Sequence, residues 1–196
     1  MNMSRSWARA LFVVGLSWGC GPAAEDIANN LSSDNPVVRE DSAKMARKHD
    51  DEGVIKALVM AIQLDPSARV REHAVDSLAE LEAVDAVPAL IEVVQRDPEA
   101  DVVSAAIDAL GRLGDARAVP VLLAHLETHG ADRPTLNVIW ALGNIGDGRA
   151  LPLLTSLRDT DDAYVAYNVE RALRELKPVM KDSESSEATE PEPSAG

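Results

Sequence analysis

Between residues 27 and 177 apolar positions recur at helical spacing, interrupted at regular intervals by Pro, Gly and Asp. Val70, Ala74, Val75, Leu78 and Leu81 share one face of a helix. The run VPALIEVVQ, residues 87–95, predicts a second, shorter helix. Pro88, Pro120 and Pro152 suit the first turn of such helices, where a missing N–H costs no hydrogen bond. Gly114 and Gly146 follow the longer helices as C-cap candidates. Asp65-Pro66 and Asp97-Pro98 mark turns, and each Asp can cap the helix that follows. No apolar–polar alternation of strand type occurs, so the body is expected to be all-α.

The pattern repeats. AIDALGRLGDARAVPVL (106–122) and VIWALGNIGDGRALPLL (138–154) align at an offset of 32. Ala109/Ala141, Gly111/Gly143, Gly114/Gly146, Asp115/Asp147, Arg117/Arg149 and Pro120/Pro152 coincide. The same offset carries Val75, Leu78 and Pro88 onto Ile107, Leu110 and Pro120, and Val38-Arg39-Glu40 onto Val70-Arg71-Glu72. A last copy, at offset 31, brings Asn137-Val138 onto Asn168-Val169. Each period is one pair of helices whose apolar faces need neighbours to cover them, so the terminal units must be more polar. The position of Leu78 becomes Ala46 in the first unit, and that of Val75, Ile107 and Ile139 becomes Glu170 in the last.

The segment ALGRLGDARAVPVLL, with its partial copies, resembles the short HEAT-like repeats first named from phycobilisome lyases. The resemblance implies a right-handed α-solenoid of about five helix pairs with period 32, the shorter helices convex and the longer ones concave. It also implies an Arg near the start of the longer helix, which Arg39 and Arg71 match and Val103, Thr135 and Ala166 do not. The tetratricopeptide and ankyrin signatures are absent.

Of the 196 residues, 46% are apolar, enough for a core. Lys and Arg total 19 against 33 Asp and Glu, for a net charge of −14. So acidic a chain argues against binding nucleic acid, which needs clustered cations. One cysteine excludes an internal disulfide framework. The first residues carry Arg5 and Arg9, then the short apolar run ALFVVGL, in the manner of a secretory signal. Ser17-Trp18-Gly19-Cys20 resembles the lipobox of bacterial lipoproteins, which implies cleavage before Cys20 and lipidation of it. Ordinary cleavage nearby is the alternative. The expected division is therefore a signal peptide at 1–19, a short tether at 20–26, the repeat body at 27–177 and a disordered acidic tail at 178–196. That tail carries five acids against one lysine. The lipid would hold the protein to a membrane, as an exported envelope protein of the outer membrane facing the periplasm.

Candidate chemistry is sparse. His125 and His129 stand at i and i+4 on a helix and could share a metal, but no H-E-x-x-H motif accompanies them, and a solvated pair is the plainer reading. The iron-binding His-Glu dipeptides of deoxyhypusine hydroxylase, an enzyme of the same repeat family, have no counterpart after His49, His73, His125 or His129. Neither G-x-S-x-G nor a phosphate-binding loop occurs. No metal, cofactor or catalytic residue is expected.

The aromatic residues are more informative. After the leader only Trp140, Tyr164 and Tyr167 remain. Aligning the units gives the columns Lys44/Asp76/Asp108/Trp140/Arg171, Glu40/Glu72/Ser104/Leu136/Tyr167 and Val37/Arg69/Asp101/Arg133/Tyr164. Mostly polar columns belong on the concave face, and each turns apolar or aromatic toward the C-terminal end. Trp140, Tyr164, Tyr167, Leu136, Asn137, Asn144 and Arg171 are thus the expected binding residues for a protein partner, with Arg171 and Tyr167 near enough to stack on Trp140. The alternative for the tyrosines is that they seal the C-terminal cap. The sequence reads best as a monomeric, non-catalytic scaffold, with a lyase-like enzyme or an accessory subunit of an envelope enzyme as the other reading.

Overall fold

The computed structural model describes residues 22–130 and 136–187. Cys20, the leader, Arg133 and residues 188–196 lie outside the described residues. Ten α-helices, and no strand, occur among the described residues. They are α1 (Ala24–Asn30), α2 (Pro36–Ala46), α3 (Glu52–Leu64), α4 (Ala68–Glu80), α5 (Val87–Arg96), α6 (Ala100–Leu113), α7 (Val119–His129), α8 (Leu136–Ile145), α9 (Leu151–Ser156) and α10 (Ala163–Glu187).

The helices form two layers, as an α-solenoid requires. α2, α4, α6, α8 and α10 pack each against the next, and the odd-numbered helices lie behind them. Contact between successive even helices is extensive, whereas α5 and α7 barely touch. In a bent stack the more tightly packed layer lies inside, so the even helices line the concavity. Between the layers runs one continuous apolar core, from Ile27 and Leu31 through Leu58, Leu78, Leu90, Leu110, Leu122 and Leu142 to Leu154 and Leu176. The units are stabilised by burying these faces on one another.

The punctuation acts as its chemistry dictates. Pro36, Pro88, Pro120 and Pro152 each occupy the first turn of a helix. Asp65 and Asp97 accept hydrogen bonds from the backbone N–H of Ser67 and Glu99. Gly114 ends α6 with φ +66°, and Gly146 matches it at +73°. The equivalent residue after α4 is Glu82, which adopts φ +51° without glycine's freedom.

Two features draw the inner helices together. A Cβ on Gly111 of α6 would fall 2.7 Å from the Ala141 Cβ and 2.8 Å from its Cα, so only a bare backbone lets α8 approach this closely. Gly143 of α8 meets Ala172 of α10 in the same way, at 2.9 Å. The 115–117 and 147–149 turns add a clasp. Arg117 is held by Asp115 and donates through Nη2 to the Val84 carbonyl one unit back, at 3.2 Å. Arg149, held by Asp147, donates to the Ala116 carbonyl at 2.8 Å.

Both expected boundaries move. α1 begins at Ala24, inside the predicted tether, because Ile27 and Leu31 are buried and need a helix to carry them. α10 continues past Lys177 to Glu187, so the first ten residues of the predicted disordered tail are helical. No glycine interrupts them, and Pro178 leaves the helix intact.

Candidate protein-binding face

On the concave side the aligned columns differ in exposure along their length. Asp76 and Asp108 are exposed in one column, and Trp140 and Arg171 continue it half-buried. Glu72, Ser104 and Leu136 are half-buried in the next column, which ends on exposed Tyr167. Arg69, Asp101 and Tyr164 are exposed. Charge therefore dominates the inner face of α2, α4 and α6, while indole, phenol, leucine and amide groups occupy α8 and α10.

The tyrosines do not seal the end of the stack. Tyr164 is 57% exposed and Tyr167 60% exposed, both standing off α10. Val165, Val169, Ala172, Leu173 and Leu176 do the sealing from the other side of the same helix. Asp162 fixes the start of α10 by accepting from the Tyr164 N–H at 2.8 Å, and Asn168 donates to the Tyr164 carbonyl at 2.8 Å. Asn144 is exposed at the end of α8.

Trp140 departs from the expected stack with Tyr167 and Arg171. Its ring leans the other way, onto α6, where Cζ3 lies 2.7 Å from where a Gly111 Cβ would stand. The missing side chain of Gly111 opens a slot that the indole fills, so the ring is partly core and partly surface. Arg171 turns along its own helix to Glu175, with Nε 3.4 Å from Oε1. Among the described residues the stacked ring pair is His125–His129, centroids 4.1 Å apart.

One bridge between α6 and α8 escaped the sequence reading. Asn137 donates through Nδ2 to the Ser104 Oγ at 3.0 Å and to the Ser104 carbonyl at 3.3 Å. Its Oδ1 is buried and has no hydrogen-bond partner among the described residues. Partial burial raises the Asp108 carboxyl above its ordinary range. A hydrogen bond from Asn137 works against that rise, the charge of Asp76 adds to it, and Arg112 opposes it. The offset-31 identity of Asn137 and Asn168 was the available signal, but it did not reveal the partner.

The histidine pair lies on α7, away from this face. His129 Nδ1 is 2.9 Å from the His125 carbonyl, which takes that nitrogen from any shared metal. Among the described residues no three His, Cys, Asp or Glu side chains converge on a point that could hold a metal. No helix among them is long and apolar enough to cross a membrane.

Repeated helix pairs stacked into a two-layered solenoid, with an aromatic patch on the inner layer, define an α-solenoid repeat protein. The HEAT-repeat family matches residues 61–135 and 97–174, and the chain belongs to that family. No curated protein matches it. Among solved structures it is similar to the complex of CpcE and CpcF of phycocyanin lyase from Nostoc sp. PCC7120, at 24% identity and a TM-score of 0.71, over 93% of this chain and 73% of that one. A designed armadillo repeat protein in complex with the peptide (KR)4 is similar at 18% identity and a TM-score of 0.56, over 76% of this chain and 80% of that one. At these identities the likeness is one of fold.

Proposed function

We propose that this chain is a non-catalytic protein-binding scaffold of the bacterial cell envelope, lipid-anchored through Cys20 and engaging its partner on the concave face. The observation that carries the reading is the pair of tyrosines, each more than half exposed, beside half-buried Trp140 and Leu136 on a rigid inner layer. Aromatic side chains ordered in advance lose little entropy on binding and dominate interface energetics. Two of the similar solved structures are complexes, one of CpcE and CpcF and one with a peptide, which is consistent with this use of the fold.

The test is cross-linking and pull-down from membranes with the wild-type chain, Tyr167→Ala and Cys20→Ser. Tyr167→Ala is expected to lose the cross-linked partner without a change in melting temperature. Cys20→Ser is expected to leave the membrane fraction and to lose lipid labelling. Equal partner yields would remove the concave face from consideration, and unchanged membrane association would remove the anchor. The likeness to a lyase complex favours a second reading, an enzyme or an accessory subunit of one. A chromophore bound to the purified protein would establish it.

A further inference from the structure

The two ends of the stack differ in polarity. A terminal unit lacks a neighbour over its packing face and is expected to be polar there. The C-terminal end obeys. Glu170 stands where Val75, Ile107 and Ile139 are buried in earlier units, and Arg158 pairs with it. The N-terminal end does the opposite. Met45 begins a column that continues as Ser77, Ala109, Ala141 and Ala172. Those four are 2% exposed or less, because the inner helix of the unit before covers them. Ser77 donates to the Ala43 carbonyl at 2.6 Å, and Ala141 and Ala172 lie against Gly111 and Gly143. Among the described residues only the seven-residue α1 precedes α2, and it leaves Met45 48% exposed. In the outer layer Met60 and Leu64 of α3 stand where the next unit has the ion pair Glu92–Arg96, and they are 57% and 73% exposed. They line a groove with Leu31 and Ser33, where α1 ends.

The column argues against a helix as the cover for this end. Its later residues are small because successive inner helices approach closely, and a methionine there would hold an incoming helix away. That disfavours a further repeat, or a second copy continuing the stack. Pliable methionine and leucine side chains suit a fluid cover instead. The path of the chain is the second observation. Pro22 shares a groove with Met45 and Lys48. Cys20 is two residues before Pro22, a reach of about 7 Å at full extension. A lipid on Cys20 therefore brings this end of the stack, rather than the tyrosine end, against the bilayer. Charge at this end is mixed, with Lys44, Arg47 and Lys48 against Glu25, Asp26, Asp34 and Asp41. Apolar contact, not attraction to anionic headgroups, must then hold it there.

From these two observations we infer that the N-terminal end of the solenoid is a membrane-docking face. Met45, Met60 and Leu64 enter the headgroup boundary of the bilayer, the stack stands on end, and Tyr164 and Tyr167 are held at its far end. This rests on Cys20 carrying lipid, and it assigns the bilayer surface, rather than a protein, as the cover of this face.

The test is hydroxyl-radical footprinting, read by mass spectrometry, of the lipidated chain on phosphatidylcholine vesicles and of the Cys20→Ser chain free in solution. Labelling of Met45, Met60 and Leu64, each divided by that of Tyr167, is expected to fall about threefold or more on the vesicles. Met60→Glu combined with Leu64→Glu is expected to restore the labelling of Met45 while the lipid keeps the chain in the vesicle pellet. A lipidated chain that pellets with the vesicles but shows no protection would overturn the docking face and leave the anchor standing. Protection of Met45 that survives the double variant would overturn it as well. A chain that carries no lipid removes the anchor, and the docking face with it. Protection of the same residues in the Cys20→Ser chain without vesicles, growing with protein concentration, would assign the face to a second copy instead.

Discussion

Arg71 grips Asp97 through two parallel hydrogen bonds, Nε to Oδ2 at 2.7 Å and Nη2 to Oδ1 at 2.9 Å. Its third donor, Nη1, reaches the Asp65 carbonyl at 2.9 Å. Asp65 is in turn held by Arg39, at 2.6 and 3.2 Å, and Arg39 donates to the Ser33 carbonyl. Three successive turns are thus linked by two buried forks. One unit later Val103 and His129 replace both partners together, and the chain of forks ends.

Breaking this pair is expected to be costly. Arg71 is only 8% exposed, so Arg71→Met leaves the Asp97 carboxylate enclosed without a counter-charge. The expected loss is about 3–5 kcal/mol. Replacing both residues with apolar ones is expected to cost less than the sum of the single changes, as a urea-denaturation double-mutant cycle would record. Burial pushes the Asp97 carboxyl up, but the Arg71 hydrogen bond and the Glu99 N–H outweigh it and hold the group below its ordinary value of 3.8. The stabilisation is therefore present above that value and lost as pH falls through the lower, folded one. Arg71→Met is expected to remove this acid-limb dependence.

The two glycines at opposite extremes of crowding give a matched pair. Gly111→Ala places a methyl 2.7 Å from the Ala141 Cβ and 2.8 Å from backbone, and α6 and α8 must separate. A loss of about 1–3 kcal/mol is expected, with a shift in the fluorescence of Trp140, which loses its slot. Gly53→Ala, inside α3 with nothing within 4 Å, is expected to gain about 0.5–1 kcal/mol. Thermal melts of both variants check the signs.

Glu82 occupies the left-handed region at φ +51°, where its counterparts are Gly114 and Gly146. Glu82→Gly is expected to stabilise the fold by about 0.5–1 kcal/mol, as relief of the Cβ clash exceeds the added entropy of the unfolded chain. A melting temperature that fell would show that the Glu82 side chain has an unseen role.

Acid is expected to weaken the α7 region through His125. Burial, and then the charge of stacked His129, hold its imidazole below the ordinary value of 6.5. The unfolded chain therefore takes up a proton first on acidification, and stability declines as pH falls below that value toward the lower, folded one. His129→Gln removes the neighbouring charge and is expected to flatten the change in urea midpoint between pH 7.5 and pH 5.

Most of the fold was legible because a repeat states its pattern several times. The offset of 32, the first-turn prolines and the two cap glycines predicted helices that the structure places within a few residues. Exposure of Asp76 and Asp108 followed from their shared column, whereas the columns ending on Tyr164 and Tyr167 left exposure and sealing of the cap equally open. What stayed hidden depends on distances between units. Arg71 and Asp97 were both visible, as were Arg39 and Asp65 at the same separation, but their pairing requires knowing that adjacent turns meet. The direction of Trp140 was decided by the slot above Gly111, which needs the helix spacing rather than the sequence spacing. The helix beyond Lys177 was missed because its composition, rich in Ser and Glu, reads as solvated in either state.

The clasps formed by Arg117 and Arg149 end on backbone carbonyls, those of Val84 and Ala116. A carbonyl is present whatever the residue, so neither clasp demands a particular side chain from the unit it holds. Such a joint tolerates drift on its receiving side and survives duplication or loss of a whole period. An array assembled with identity-blind joints can change its length, and the curvature and reach of its inner face with it, without first inventing a new interface. The side chains that line the concavity are thereby left to vary with whatever the face must hold.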